Sequence, residues 1–128
     1  MIFIYHSIAL IAAYFIGAIP SSILIGKYFY NTDVREHGSK NAGATNTFRV
    51  LGKKPGIIVL IMDILKGWLV TNIAYLYAPP DASFINFQLS LEVQALIGHI
   101  FPIYVGFKGG KGIATAIGLI IAIAPIPI

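Results

Sequence analysis

The chain has 128 residues, of which 57% are hydrophobic and only 11% are charged, and its mean hydropathy is +0.81. This composition excludes an ordinary soluble globular domain and predicts a membrane protein. The net charge is +4 and there is no cysteine, so disulfides, cysteine-ligated zinc and thiol nucleophiles are excluded.

The first apolar segment covers residues 1–26 and contains no Lys, Arg, Asp or Glu. At about 1.5 Å per residue, a helix of this length crosses a hydrocarbon core of roughly 30 Å. The segment begins apolar rather than basic, which favours a retained membrane helix over a cleaved signal peptide. Pro20 predicts a kink in that helix, because proline lacks the N–H that a helix interior uses.

Three further apolar segments follow at residues 56–78, 84–103 and 113–128. The sequence therefore predicts an all-α fold, a polytopic bundle of four transmembrane helices in a single integral membrane domain, residues 1–128. The last segment is short for a bilayer and has no polar flank. We therefore expect the chain to be the N-terminal part of a longer protein, or a truncated product, incomplete at its C terminus.

The basic residues outside the apolar segments are confined to two loops. Residues 27–55 form the first loop, and residues 106–112, which contain Lys108 and Lys111, form the second; the connection at residues 79–83 has no Lys or Arg. The positive-inside rule places both loops in the cytoplasm and the N terminus outside.

The first loop contains GSKNAGATNTFRVLGKKPG, residues 38–56. It predicts a turn and then a short interfacial helix, capped by Ser39 or Asn41 at its N-terminal end and by Gly52 at its C-terminal end, with Pro55 as the stop. The helix would have two faces, Ala44, Phe48 and Leu51 on one and Ala42, Thr45, Asn46 and Arg49 on the other.

The polar face of this helix predicts an anion site. Helix N-terminal amides beside Ser39 and Asn41 attract anions, and the Arg49 guanidinium suits bidentate contact with a phosphate. The alternative is a solvated basic loop held at anionic lipid headgroups. We assign only that role to three lysines of the loop: Lys27, Lys53 and Lys54.

The second loop, GFKGGKG, predicts a phosphate cradle. Its glycines let backbone N–H groups turn toward an anion, Lys111 adds a positive charge, and the helix that begins near Ile113 adds its positive end. A harmful effect of Gly110→Ala is expected if residue 110 needs a positive φ. For Lys108, contact with lipid headgroups is an equal alternative.

Nucleotide-binding and hydrolase patterns do not fit the sequence. A P-loop requires glycine where Val105 stands and Ser or Thr where Gly112 stands. The nucleophile-elbow and His-x-x-x-x-Asp acyltransferase patterns also fail. We therefore expect no metal, no cofactor and no protein nucleophile or base, but a phosphorylated substrate that is already activated for transfer.

Three polar residues lie in or beside the later apolar segments. Asp63 and Lys66 stand three residues apart and are expected to pair, in a structural role first and a positioning role second. His99, at the end of a span, is more typical of a satisfied interfacial residue than of a catalytic base.

GSKNAGATN at residues 38–46 with Arg49, and GFKGGKG at residues 106–112, together resemble the bacterial acyl-phosphate:glycerol-3-phosphate acyltransferases, the PlsY family. Shorter agreements run along the whole chain: Gly-x-Ile-Pro-Ser from Gly17, Asp-x-x-Lys-Gly from Asp63, Gly98-His99, Pro102 and Ala114-Thr115.

The resemblance implies a multi-pass enzyme of the bacterial inner membrane with its active site on the cytoplasmic face. It would move a fatty acyl group from acyl phosphate to the 1-hydroxyl of sn-glycerol 3-phosphate, giving lysophosphatidic acid and phosphate, with the substrate phosphate replacing a protein base. Its partners would be the two substrates, membrane lipids and the enzyme that supplies acyl phosphate, and no nucleic acid. The family has further helices and a third cytoplasmic motif beyond this stretch.

The resemblance implies catalytic roles for Ser39, Arg49 and Lys111. Together with the glycine pattern it gives these candidates for binding substrate or phosphate: Asn41, Gly43, Thr45, Asn46, His99, Lys108, Gly109, Gly110 and Gly112.

Two other functions remain open at this point. A transporter or binding protein for phosphate esters would also use broken helices and glycine-rich elements, but it would hold its main polar groups near the middle of the bilayer. A purely structural membrane protein would leave the Ser-Asn-Arg and Gly-Gly-Lys sets unexplained.

The predicted orientation can be tested with introduced cysteines, since the chain has none of its own. Lys53→Cys and Lys108→Cys should react with an impermeant thiol reagent only after the inner membrane is opened. Asp81→Cys should react in intact cells. The reverse labelling pattern would overturn the orientation.

Overall fold

The computed structural model describes residues 2–77 and 84–123. These ranges contain six α-helices in chain order: α1 (Ile2–Gly17), α2 (Ser21–Tyr30), α3 (Ala44–Leu51), α4 (Lys53–Tyr77), α5 (Phe84–Ile100) and α6 (Ile113–Ile123). Single turns of 3-10 helix lie at Val34–Glu36 and Ile103–Val105. No strand occurs within these ranges, so the predicted all-α class is confirmed.

Two helical stretches are long and apolar enough to cross a membrane. They are His6–Tyr30, which includes most of α1 and all of α2, and Lys53–Leu76 in α4. The helix Ile113–Ile123 is apolar but shorter. Four membrane spans and an interfacial α3 therefore stay predictions.

Pro20 interrupts the first stretch, as the sequence predicts. Instead of donating to Gly17, as in a continuous helix, the Ser21 N–H donates to the Ile19 carbonyl at 3.0 Å. The Gly17 carbonyl oxygen accepts a side-chain donor in place of Ser21, and the Ile19 carbonyl oxygen accepts the same donor in addition to the Ser21 N–H. The Lys66 ammonium of α4 contacts them at 2.9 and 3.0 Å.

The helix predicted in the first loop exists as α3 and ends at Gly52, whose φ of 105° favours glycine. Its N-terminal cap differs from the prediction. Gly43 occupies the cap position without a side-chain hydrogen bond, so capping by Ser39 or Asn41 is wrong. Those two residues lie too far upstream, in the turn that leads to the helix.

Pro55 does not end α3, contrary to the prediction. It lies in the first turn of α4, which begins at Lys53. Proline is tolerated there because the first N–H groups of a helix have no partner within the helix. The break between α3 and α4 is made by Gly52 alone.

Small residues bring α1 against α5. A Cβ built on Gly17 would clash with the backbone of Ala95, and one built on Gly98 would clash with the Tyr14 carbonyl. The two helices run in the same direction, because His6 stacks on Phe87 toward one end and the Tyr14 hydroxyl donates to the Phe101 carbonyl at the other, at 2.8 Å. This close contact of backbones is the small-residue packing common in membrane helices.

The pair formed by α4 and α6 repeats this arrangement. A Cβ on Gly67 would clash with the Thr115 carbonyl, and one on Gly118 would clash with the Ile64 carbonyl and lie 2.6 Å from the Trp68 nitrogen. In both helix pairs each glycine packs against backbone of the partner helix. Helix axes can approach this closely only where no side chain intervenes.

The buried core of the bundle is built from small side chains. Ala9, Ala13, Ala74 and Ala95 are fully buried in one cluster, together with Val70, Leu91 and Phe84. Large apolar side chains lie on the outside instead, among them Ile11, Leu76 and Ile120. Such a distribution suits a lipid-facing surface, because lipid tails solvate large apolar side chains while small residues allow helices to pack.

The packing of α4 on α6 gives a stability prediction. Gly118→Leu should lower the free energy of unfolding by about 1–3 kcal/mol or more, because the added side chain meets backbone that cannot move aside. Thermal unfolding in detergent, followed by fluorescence of the single tryptophan, Trp68, measures the change. Ile120→Leu on the same helix, at a site that is 59% exposed, is the matched control. Equal midpoints for the two variants would contradict the packing argument.

Candidate active site

A cavity of about 300 Å³ lies where the two predicted cytoplasmic loops meet α4, α5 and α6. We call it the site cavity. Its lining combines polar side chains from both loops with apolar side chains from the helices: Ser39, Asn41, Gly43, Ala44, Thr45, Asn46, Arg49, Leu60, Asp63, His99, Lys111, Gly112, Ile113, Ala114 and Ile117. The structure thus brings together most of the predicted site residues from stretches far apart in sequence.

The α3 helix supplies Thr45 and Arg49, which lie one helical turn apart and both border the site cavity. Both side chains are exposed. Within residues 2–77 and 84–123, Arg49 forms no ion pair and donates no hydrogen bond. Its guanidinium is therefore available to an anionic ligand.

Asn46 has a different role from its neighbours on α3. Its side-chain oxygen accepts from the Ser39 N–H at 2.9 Å, and its amide nitrogen donates to the carbonyls of Val34, His37 and Asn41 at 2.8, 3.1 and 2.9 Å. Although it borders the cavity, its amide is engaged with the backbone of the preceding turn. The residue holds Ser39 and Asn41 in place beside the cavity, and its predicted contact with substrate stays a prediction.

The predicted faces of α3 need a correction at the same residue. Asn46 is buried together with Thr47, whereas Thr45 and Arg49 are exposed. The helical spacing placed all three polar residues on one face. Asn46 turns inward because its amide donates to backbone carbonyls of the preceding turn. Helical periodicity describes positions within α3 only, so it could not predict these contacts.

The second loop wraps around the end of α5. The Phe107 N–H donates to the Pro102 carbonyl at 2.8 Å, and the Gly109 N–H donates to the Ile100 carbonyl at 2.9 Å. These bonds return the chain to the site cavity, where Lys111 is exposed at the rim. Among the described residues Lys111 has no ion-pair partner.

A glycine at the start of α6 has the conformation that the sequence suggests for this loop, but it is Gly112 rather than Gly110. Gly112 has φ 88°, while Gly110 is not among the residues with positive φ. Gly110 is required for space instead. A Cβ there would lie 2.6 Å from His99 Nε2 and 3.2 Å from the Ala42 carbonyl oxygen.

Three predicted binding residues of this loop do not border the site cavity: Lys108, Gly109 and Gly110. Lys108 is exposed, and its carbonyl accepts from Arg35 at 3.3 Å. Gly109 packs against the His99 carbonyl. These residues shape the loop, and direct contact with a ligand stays a prediction for them.

Arg35 joins the two loops. It pairs with Asp33, with 2.8 Å between Nη2 and Oδ2, and its Nη1 donates to the Val105 carbonyl at 2.6 Å. Hydrogen bonding by the Arg35 guanidinium lowers the pKa of the Asp33 carboxyl below its usual value, against the effect of partial burial. The same pairing raises the pKa of Arg35. No sequence pattern indicates this contact, because Arg35 and Val105 are 70 residues apart.

The predicted pair of Asp63 and Lys66 is confirmed, with 3.2 Å between Oδ1 and Nζ. Both side chains are almost fully buried. His99 joins them, because its Nδ1 lies 2.9 Å from Lys66 Nζ. Asp63 and His99 also line the site cavity, so this buried group is continuous with the site. The three-residue spacing could reveal the ion pair but not its position next to the loops.

The other wall of the site cavity is apolar. It is formed by Leu60 of α4 and by Ile113, Ala114 and Ile117 of the first turns of α6. Such a site can hold an anionic group against Arg49 and Lys111 while it shelters an apolar group from water. This arrangement suits a phosphorylated, amphiphilic ligand.

Comparison with known proteins agrees with this chemistry. The sequence model of the family named glycerol-3-phosphate acyltransferase matches residues 7–128. A glycerol-3-phosphate acyltransferase of Enterococcus faecalis is 50% identical over 118 residues, which cover 92% of this chain and 52% of that protein. One of Listeria monocytogenes is 51% identical over 114 residues, which cover 89% of this chain and 57% of that protein.

Crystal structures of PlsY, an integral membrane glycerol 3-phosphate acyltransferase, share the fold. The glycerol 3-phosphate form has a TM-score of 0.82 and 39% sequence identity, and the lysophosphatidic acid form has a TM-score of 0.78 and 37% identity. Each match covers 94% of this chain and 58% of the other. The chain spans about half the length of the curated relatives it matches. Together with its apolar helices, the similarity identifies a membrane protein.

Proposed function

The chain belongs to the glycerol-3-phosphate acyltransferase family, and from this premise we propose that it forms the phosphate-binding part of a membrane acyltransferase. The enzyme transfers a fatty acyl group from acyl phosphate to the 1-hydroxyl of sn-glycerol 3-phosphate. Its products are lysophosphatidic acid and inorganic phosphate.

The observation that carries the proposal is the meeting of two unpaired cations at one cavity. Arg49 and Lys111 come from different loops, both border the site cavity, and neither has an ion-pair partner among the described residues. Two substrates that each carry a phosphate need such a concentration of positive charge, and charge-assisted contacts to phosphate are about twice as strong as neutral ones.

The transfer needs no group beyond the two substrates and the residues that position them. The 1-hydroxyl oxygen of glycerol 3-phosphate forms a bond to the acyl carbon, the bond from that carbon to the phosphate oxygen breaks, and the phosphate leaves with the bonding pair. The hydroxyl proton ends on the departing phosphate. Lys111 and Arg49 stabilise the negative charge that grows on the phosphate oxygens, and Ser39 donates a hydrogen bond.

The apolar wall supports the choice of an acyl donor. Leu60, Ile113 and Ile117 line the site cavity opposite the charged rim. An acyl chain that lies along this wall places its carbonyl at the boundary between the apolar and charged parts. Glycerol 3-phosphate enters from water, and the positive-inside rule makes that aqueous side the cytoplasm. The enzyme that supplies acyl phosphate delivers it to the same membrane face.

The donor is the first thing to test. Membranes that carry this chain should form lysophosphatidic acid and release phosphate when given acyl phosphate and glycerol 3-phosphate, without nucleotide or metal, whereas acyl-CoA should be a poor donor. Membranes with the full-length Enterococcus faecalis relative form a parallel arm. Activity in that arm alone assigns the shortfall to the part of the relative outside the match with this chain, and equal turnover with acyl-CoA in both arms would defeat the proposed donor.

Arg49 should be sensitive to the shape of its side chain as well as to its charge. Arg49→Ala should reduce turnover by at least about 100-fold, in the range seen when one charge-stabilising donor is lost, and Arg49→Lys should lose much of the activity too. Lys111→Ala should be comparably severe. Lys53→Ala is the matched control, because Lys53 is exposed and does not border the site cavity. If Lys53→Ala were as damaging as Arg49→Ala at equal protein levels, the loops would act through general electrostatics.

A further inference from the structure

We propose that Lys66 is a positioning residue that holds the His99 imidazole with its proton on Nε2, so that His99 donates a hydrogen bond to a phosphate oxygen in the site cavity. The inference deepens the proposed function and rests on it for the identity of the ligand. It assigns His99 as a donor rather than as a base, and it gives the buried lysine a chemical task.

The Lys66 ammonium directs its protons to three acceptors. Its Nζ lies 2.9 Å from the Gly17 carbonyl oxygen, 3.0 Å from the Ile19 carbonyl oxygen and 2.9 Å from His99 Nδ1. An ammonium has three protons and no lone pair. The three protons and the three acceptors match one to one.

Asp63 maintains the charged form of Lys66. Its Oδ1 lies 3.2 Å from Nζ and is buried without a hydrogen bond of its own among the described residues. The contact between Asp63 and Lys66 is therefore an ion pair without a hydrogen bond, because the Lys66 protons are directed to the three acceptors named above. A buried carboxylate and a buried ammonium are stable only when they compensate each other. Asp63 Oδ1 is also 3.9 Å from His99 Nδ1, too far to share a hydrogen bond.

The tautomer of His99 follows from this count. Because the Lys66 ammonium can only donate, Nδ1 must accept, and a neutral imidazole that accepts at Nδ1 carries its proton at Nε2. The ring is held in place, since His99 is only 8% exposed. The direction of its N–H is thus set by the buried ion pair.

The Nε2 edge of the ring faces the second loop. A Cβ on Gly110 would lie 2.6 Å from Nε2, and one on Gly112 would lie 3.8 Å from Cδ2. Glycine on both sides of Lys111 lets the loop pass close to this edge without a side chain that would displace the ring. Within the described residues Nε2 makes no hydrogen bond, and His99 lines the site cavity. Nε2 thus lies beside the loop that carries Lys111, on a residue that lines the same cavity as Lys111.

The same geometry excludes His99 as the acceptor of the hydroxyl proton. Nε2 already carries a proton, and the Nδ1 lone pair is used by Lys66. His99 can stabilise negative charge on a phosphate oxygen, but it cannot remove the proton from the hydroxyl group. This agrees with a transfer in which the departing phosphate takes the proton.

The tautomer can be measured without substrate. In folded protein labelled with ¹⁵N-histidine, NMR should show Nδ1 unprotonated and Nε2 protonated for His99, which is assigned against His6 and His37 by its loss in His99→Gln. Lys66→Met should abolish this preference, and Lys54→Met, the same change at an exposed residue, should not. A proton on Nδ1 in the unmodified protein would overturn the proposal, and that spectrum decides even where Lys66→Met fails to fold.

Kinetics test the donor role separately. In this chain and in the full-length Enterococcus faecalis relative changed at the aligned residue, His99→Gln should keep turnover within about 10-fold, because its amide N–H can replace Nε2–H. His99→Asn reaches only the Nδ1 position and should lose about 100-fold or more. Equal, severe losses would indicate a base, and no loss in either variant would remove His99 from the site. If the unmodified proteins show no acyl transfer while the tautomer is as expected, the proposed function fails and the buried geometry stands.

Discussion

The Lys66 ammonium lies where three helices meet, and the bundle is built around its hydrogen bonds. The interruption of the first helical stretch at Pro20 opens the carbonyls of Gly17 and Ile19, and Lys66 of α4 binds both. The third proton reaches His99 at the end of α5. A buried cation that satisfies all its donors in this way fixes the helices relative to one another, because each bond is lost if one helix slides.

Close helix packing carries that constraint to the loops. The glycine contacts between α1 and α5 and between α4 and α6 leave little freedom for the helix ends. The loops that leave these ends meet at one cavity, and Arg35 ties them together through the Val105 carbonyl. Two basic loops repel each other, so their approach is stabilised by backbone acceptors and by Asp33 rather than by neutralising Arg49 or Lys111. The cations that a phosphate would need stay unpaired among the described residues.

Neighbouring residues of one motif divide the work between shape and chemistry. The Asn46 side-chain amide forms hydrogen bonds with four backbone groups. Arg49, less than one turn later, borders the site cavity without an ion-pair or hydrogen-bond partner among the described residues. Gly110 and Gly112 differ in the same way. Gly110 provides room against His99, and Gly112 provides the positive φ with which α6 begins. The two loop motifs thus contain residues that shape the site cavity as well as residues whose side chains are available to a ligand.

The sequence by itself determined the all-α class, the break at Pro20, the existence of α3, the end of that helix at Gly52 and the pair of Asp63 and Lys66. Each of these follows from composition or from contacts between residues within a few positions of one another, which local physics controls. Only the tertiary structure decided that Asn46 turns inward, that His99 joins the ion pair, that Arg35 links the loops and that Gly110 is needed for space. These features depend on groups brought together from distant parts of the chain, because a hydrogen bond between residues 33 or 70 positions apart leaves no periodic trace in the sequence.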